Sequence, residues 1–211
     1  MYAVHLDQHA QRTPLPGHRQ SGILAAMPFP AKTDRARILA AAMEQLASDG
    51  MEKLSLRSLA ASLDLAPTAL YRYFPSRSAL EAALTAEIAG QIHAKLRRAA
   101  GHKLPEPAIR ALTKAYVSFS TEQPHLYNAF LQPCAETEQA EEPAHEALWN
   151  FVLEQVARIT GPKHAPEAAV ALWAMLHGFV ELKRAGVFHQ GKPLTGFDWG
   201  MQAWLKAARC G

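Results

Sequence analysis

Three features of these 211 residues predict an all-α fold. Apolar side chains recur at three- and four-residue intervals along most of the chain, the period of a helix with one buried face. Prolines, glycines and polar clusters fall between the periodic segments, at 101–107, 124, 132–143, 161–166 and 190–195, and divide the chain into about nine pieces of helical length. No stretch of useful length alternates apolar and polar residues as a half-buried strand does. Half the residues are apolar and 19% are charged, the balance of a globular chain long enough to bury a good core.

Residues 1–31 carry no sustained periodicity and are expected to form a disordered tail, broken by Pro14, Pro16, Pro28 and Pro30. They contain no apolar run like the core of a signal peptide, so secretion is not expected. Met27, which opens MPFPAKTDRARIL, is a candidate second start; a native peptide upstream of it, found by mass spectrometry, would remove that reading. The two cysteines, Cys134 and Cys210, make neither a disulfide framework nor a metal-ligand pair, which suits a reducing cytoplasmic compartment.

The first helix is expected from Thr33, as N-cap, to Ser48, with Gly50 just beyond it. Ile38, Leu39, Ala42, Met43 and Leu46 form its inward stripe. Arg35 and Arg37 near its start read equally as phosphate contacts or as solvated charges. A second helix starts after Ser55, whose hydroxyl can accept from an orphan N–H of the first turn. Leu56, Leu59, Ala60 and Leu63 give it one apolar stripe. Asp64 then stands where the chain must turn sharply, and Asp tolerates a left-handed backbone better than most residues.

Pro67 suits the first position of a third helix, expected to run through Thr68 to Phe74. Leu70 and Phe74 face inward at i and i+4, which leaves Tyr71, Arg72 and Tyr73 on the other faces. Two short helices joined by a tight turn, the second showing hydroxyls and a guanidinium outward, form the DNA-reading helix-turn-helix. The charge distribution is compatible with that: residues 1–31 hold two arginines and one aspartate, residues 32–80 seven Lys/Arg against five Asp/Glu, and residues 81–211 thirteen of each.

The run Leu70-Tyr71-Arg72-Tyr73-Phe74-Pro75-Ser76-Arg77, with a helix on either side, resembles the TetR family of bacterial transcriptional regulators over about residues 33–84. Members usually carry Gly in place of Asp64, and often Ser or Thr in place of Ala66. The resemblance implies that Ser55, Arg57, Tyr73 and Arg77 lie near phosphates of double-stranded operator DNA. It places Pro67, Thr68, Ala69, Tyr71 and Arg72 over the major groove, where Thr68, Tyr71 and Arg72 can hydrogen-bond base edges and Pro67 and Ala69 offer apolar contact. Tyr71 and Tyr73 also admit a plainer account, as half-exposed aromatics packing the third helix. Arg77 sits at a helix start, where backbone N–H groups favour an anion.

A long fourth helix is expected from Ser76 to about Arg98, on the order of 30 Å, reaching from the helix-turn-helix into the rest of the molecule. Further helices follow at about 106–123, with Ile109, Leu112, Ala115, Tyr116 and Phe119 on one side, at 126–131, and at 144–160. Glu141 and Glu142 read as a solvated charge pair. The helix at about 166–186 contains thirteen uncharged residues, AAVALWAMLHGFV, between Glu167 and Glu181. A helix apolar all round must be covered on every side, yet thirteen residues are too few for a bilayer, which needs about twenty. No membrane is expected. The expected cover is the chain's own core and a second copy of the chain, with a last helix at about 198–208 completing a four-helix homodimer interface.

Trp173, His177 and Gly178 match the Trp-x-x-x-His-Gly signature of a regulatory domain in one branch of the same family, over about residues 104–208. That resemblance implies an effector-binding and dimerisation domain at 79–211, following a DNA-binding domain at 32–78. Tyr116, Phe119, Tyr127, Phe130, Trp149, Trp173 and His177 are the candidate pocket residues for an unknown small-molecule effector. An aromatic stripe is also what plain helix packing needs, and a lone histidine in an apolar helix is more often a core residue with one hydrogen bond. No catalytic residue, cofactor or metal ligand is assigned, since the chain has no HExxH, glycine-rich phosphate loop or GxSxG. The expectation is a ligand-released transcriptional repressor; the alternatives are a helical small-molecule enzyme and an effector-independent DNA-binding protein.

Overall fold

The computed structural model describes residues 34–132, 142–188 and 193–210. The expectations for the tail to Thr33, for Cys134 and for Glu141 lie outside the described residues. All described residues belong to one compact unit. They form nine α-helices and one short 3₁₀ turn, and none of these helices is long and apolar enough to cross a membrane.

Helix α1 (Arg35–Asp49) is capped by Asp34, not by Thr33: the Asp34 carboxylate accepts from the Arg37 backbone N–H at 2.8 Å. Ile38, Ala42 and Leu46, spaced by four, are fully buried. The helix stops at Gly50, whose φ of +83° suits glycine, and the His125 imidazole lies against that residue.

Helix α2 (Leu56–Ser62) follows the 3₁₀ turn Met51–Lys53. The Ser55 hydroxyl accepts from Ser58 N–H at 3.4 Å, and Leu59 and Ala60 are buried. The helix ends in a Schellman pair: Leu65 N–H donates to Ala60 C=O at 2.9 Å, and Asp64 N–H to Ala61 C=O at 3.2 Å. That geometry needs a left-handed residue, and Asp64 supplies it at φ +55°. Asp64→Gly is expected to keep the fold and raise stability slightly, whereas Asp64→Val should lower it by roughly 1–2 kcal/mol. Urea denaturation checks both, and equal midpoints for the two variants would mean that the backbone here carries no strain.

Helix α3 (Pro67–Leu70) is shorter than the expected run to Phe74. Beyond Leu70 the chain continues in tight turns, with Tyr73 and Phe74 N–H both donating to Leu70 C=O at 2.9 Å. Ala66 offers no side-chain cap, so only Pro67 marks the start. Pro75 sets the outer limit of this segment, because the residue before a proline is pushed out of the helical region. Leu70 and Phe74 are nevertheless buried, 1% and 3% exposed, as their spacing predicts.

Helix α4 (Arg77–Ala100) begins at Ser76, whose hydroxyl accepts from Ala79 N–H at 2.9 Å. Its 24 residues span about 36 Å. Residues 82–86 are buried in succession, which a helix achieves only when covered on more than one side. The cover comes from α5 (Pro105–Glu122), α6 (Pro124–Phe130) and α7 (Glu142–Thr160), with α1 packing on it as well. Helix α6 also touches α1, which places it between the first helix and the rest of the bundle.

Helices α8 (Ala165–Arg184) and α9 (Pro193–Cys210) pack side by side. The Trp204 indole donates to Ala168 C=O at 3.0 Å, Gly200 lies against Met175, and the Phe197 and Phe179 rings are 4.9 Å apart. Rising numbers on one helix meet falling numbers on the other, so the pair is antiparallel. Gly200 is confined there, since an added Cβ would come 3.0 Å from the Met175 sulfur.

Candidate functional site

Helices α2 and α3 pack against each other and leave a polar ridge. Tyr71, at the C-terminal end of α3, is 51% exposed, and Arg57, Pro67, Thr68 and Arg72 are exposed as well. Ala69 and Tyr73 are half-buried, and Tyr73 packs on the hydrophobic core. The anchoring is physical: Leu70 and Phe74 lie in the core on either side of Tyr71, so the backbone carrying its phenol is held from both ends. Ser55 spends its oxygen on the α2 cap and keeps a hydroxyl hydrogen to donate.

Arg77 is tied into the molecule. Its Nε donates to Glu81 at 2.6 Å and an Nη donates to Met51 C=O at 3.2 Å. Two of the five N–H groups of the guanidinium fork are therefore engaged, bracing the start of α4 against the 3₁₀ turn. Arg35 lies over the Phe74 ring at 4.8 Å, a third reading beside the two offered by its position alone.

The second cluster is an aromatic network that joins three helices. Trp173 and His177, one helical turn apart on α8, each reach a tyrosine on another helix. The Trp173 indole donates to the Tyr116 hydroxyl of α5 at 3.3 Å, and His177 Nδ1 is 2.8 Å from the Tyr127 hydroxyl of α6. The two tyrosine rings meet edge to face at 5.7 Å. The Trp-x-x-x-His spacing thus stitches α8 to both neighbouring helices. Burial raises the pKa of both phenols above the usual tyrosine value, so the network holds neutral hydroxyls at any physiological pH. The Arg184 guanidinium stands 5.6 Å from the centre of the Tyr127 ring.

A cavity of about 160 Å³ opens beside this network. Tyr116, Phe130, Trp149 and Trp173 line it. Phe119, Tyr127 and His177 do not: Phe119 and Tyr127 are spent on the core, and His177 is half-buried with its Nδ1 held by Tyr127. Most of the rest of the wall is aliphatic, with Ile92 and Leu96 from α4, Leu112 from α5, and Ala169, Leu172 and Leu176 from α8. From α7 come Leu148, Val152 and His145, the last stacked on Phe130 with the ring planes 3° apart and the centroids at 5.6 Å. Nothing in the sequence singles out His145. Only the fold of α7 against α6 brings it to Phe130.

The third feature is an uncovered apolar face. On α8, Ala165, Ala169, Leu172, Leu176 and Val180 are buried, while Val170 remains 53% and Trp173 45% exposed. Leu182, farther round α8, is also exposed, and an added Cβ at Gly178 would meet open space. On α9, Trp199 is 73% exposed. The expectation that α8 must be covered all round is met on one side only within a single chain.

Two family models and several known proteins match parts of this chain. A family model described as bacterial regulatory proteins, tetR family, matches residues 38–84. A second, described as tetracyclin repressor-like, C-terminal domain, matches residues 109–204. The chain is 28% identical over 167 residues to the uncharacterized HTH-type transcriptional regulator Rv0681 of Mycobacterium tuberculosis, covering 75% of this chain and 73% of that protein. A solved structure of a protein of unknown function from Rhodococcus sp. RHA1 superposes with a TM-score of 0.70 at 26% identity, over 86% of this chain and 98% of that one. A TetR variant from Acinetobacter baumannii AYE, solved in complex with minocycline, shares the fold at a TM-score of 0.61 and 20% identity, over 83% of this chain and 96% of that one.

Proposed function

This chain belongs to the tetR family of bacterial regulatory proteins, and from that premise we propose that it is a cytoplasmic transcriptional repressor that binds palindromic operator DNA as a homodimer. Residues 32–78 form its DNA-binding domain and residues 79–211 its effector-binding and dimerisation domain. The observation that carries the reading is the exposed Tyr71 phenol between two core anchors, Leu70 and Phe74. A phenol held out on a backbone fixed at both ends offers a hydroxyl and a ring face at a set position, which suits contact with base edges.

In this reading Thr68, Tyr71 and Arg72 read base edges, with Pro67 and Ala69 in apolar contact. Ser55, Arg57, Tyr73 and Arg77 fix the register on phosphates, Arg77 through the N–H groups that Glu81 and Met51 leave over. Two copies associate through the exposed faces of α8 and α9, and a small apolar effector enters the aromatic cavity. Helix α4 supports the coupling, because it starts beside α3 and carries Ile92 and Leu96 on the cavity wall. An effector that prefers one placement of α4 shifts the spacing of the two recognition helices away from that of the half-sites. No catalytic step and no cofactor enters this scheme.

Fluorescence anisotropy with labelled DNA from the region upstream of the chain's own gene tests the reading. The expected result is tight binding that footprints a two-fold symmetric site and weakens steeply as salt rises, since phosphate contacts release counterions. Equal affinity for scrambled DNA of the same length would overturn operator recognition.

A further inference from the structure

We propose that the cavity takes an uncharged, single-ring aromatic ligand held by apolar and ring contacts, a specification that rests on the effector reading above. Size is the first argument. The cavity measures about 160 Å³. Cavities of about 150 Å³ walled by aliphatic and aromatic side chains hold benzene, whereas drug-sized ligands occupy roughly 300–1,000 Å³. One ring with a short substituent fits, and a fused four-ring molecule does not.

Charge is the second argument. No aspartate, glutamate, lysine or arginine lies on the wall. An ionised ligand would shed its water there and meet no fixed opposite charge, the single imidazole on the wall, His145, being stacked on Phe130. Shape is the third. Tyr116, Phe130, Trp149 and Trp173 contribute ring surfaces, and the near-parallel Phe130–His145 pair adds a flat one, so a planar ring gains stacked and edge-on contacts that a branched aliphatic does not.

The polar groups of the lining are largely turned to one another or to ring contacts: the Tyr116 hydroxyl receives the Trp173 indole N–H, and the His145 imidazole stacks on Phe130. A ligand held by ring and apolar contacts suits such a wall.

Isothermal titration of the full-length protein at pH 8 with toluene, acetophenone, benzoate and minocycline tests this. Toluene and acetophenone are both expected to bind, with affinities within about tenfold of each other. Ala169→Phe, which fills the cavity, should abolish both; Val152→Phe, at a half-buried wall position, repeats that test should the first variant fail to fold. Benzoate or minocycline binding more tightly than acetophenone would overturn the proposal, as would the absence of binding by either neutral ring compound. Operator affinity measured on the same samples separates the two readings. Intact DNA binding with no ring compound bound removes this inference alone. Acetophenone bound with no change in operator affinity upholds the ligand class and removes the effector role.

Discussion

Tyr71→Ala is expected to weaken operator binding by roughly 30-fold to 10⁴-fold while the helical circular-dichroism signal and the thermal midpoint stay where they are. The magnitude follows from one base contact of about 1–3 kcal/mol, lost once in each half-site of a symmetric complex, at about 1.4 kcal/mol per factor of ten. Stability is spared because the phenol is half exposed and the anchoring belongs to its neighbours, Leu70 and Phe74. The loss should be the same fraction at low and high salt, since a base contact displaces no counterion. Anisotropy titrations at two salt concentrations measure this. Wild-type affinity in the variant would take Tyr71 out of the interface. Arg77→Ala makes a useful contrast, because its guanidinium also braces α4 through Glu81 and Met51, so lost binding there must be read beside the thermal midpoint.

The second large effect is expected from Val170→Asp on the open face of α8. In a two-fold interface the same residue is used by both copies, so one substitution inserts two carboxylates into the apolar contact. Each would be buried without a partner, at a cost of several kcal/mol. Val170 is 53% exposed in the single chain, so the protomer itself should fold normally. Light scattering after gel filtration should then report a monomer, and operator affinity should fall by at least about 100-fold, since a lone half-site contact loses the benefit of tethering. Trp199→Ala, on α9, should weaken the dimer in the same direction by removing an exposed ring rather than adding a charge. A Val170→Asp protein that remains dimeric at micromolar concentration would move the interface elsewhere.

Much of this molecule is local and therefore readable from the chain. Ser55 and Ser76 act as caps in the structure because a cap needs only a hydroxyl three residues before an orphan N–H. Asp64 takes the left-handed turn because a short polar side chain tolerates it, and Leu70 and Phe74 are buried because their spacing of four brings them to one side even where the helix gives way to tight turns. The all-α class and the family follow from the same short-range signals, the period of the apolar residues and the LYRYFPSR run.

What distance along the chain conceals, only tertiary structure decided. An aromatic on a helical stripe looks the same in sequence whether it fills the core or borders a void. Tyr127 and Phe119 went to the core, while Phe130 and Trp149 border the cavity, because α7 and α8 close over some positions of α5 and α6 and not others. His177 meets a phenol fifty residues away, and His145 enters the cavity wall by stacking on Phe130. Arg77 reaches back twenty-six residues to the Met51 carbonyl. Periodicity specifies which face of a helix is buried; the identity of the surface that buries it depends on packing among segments whose order in space no local pattern encodes.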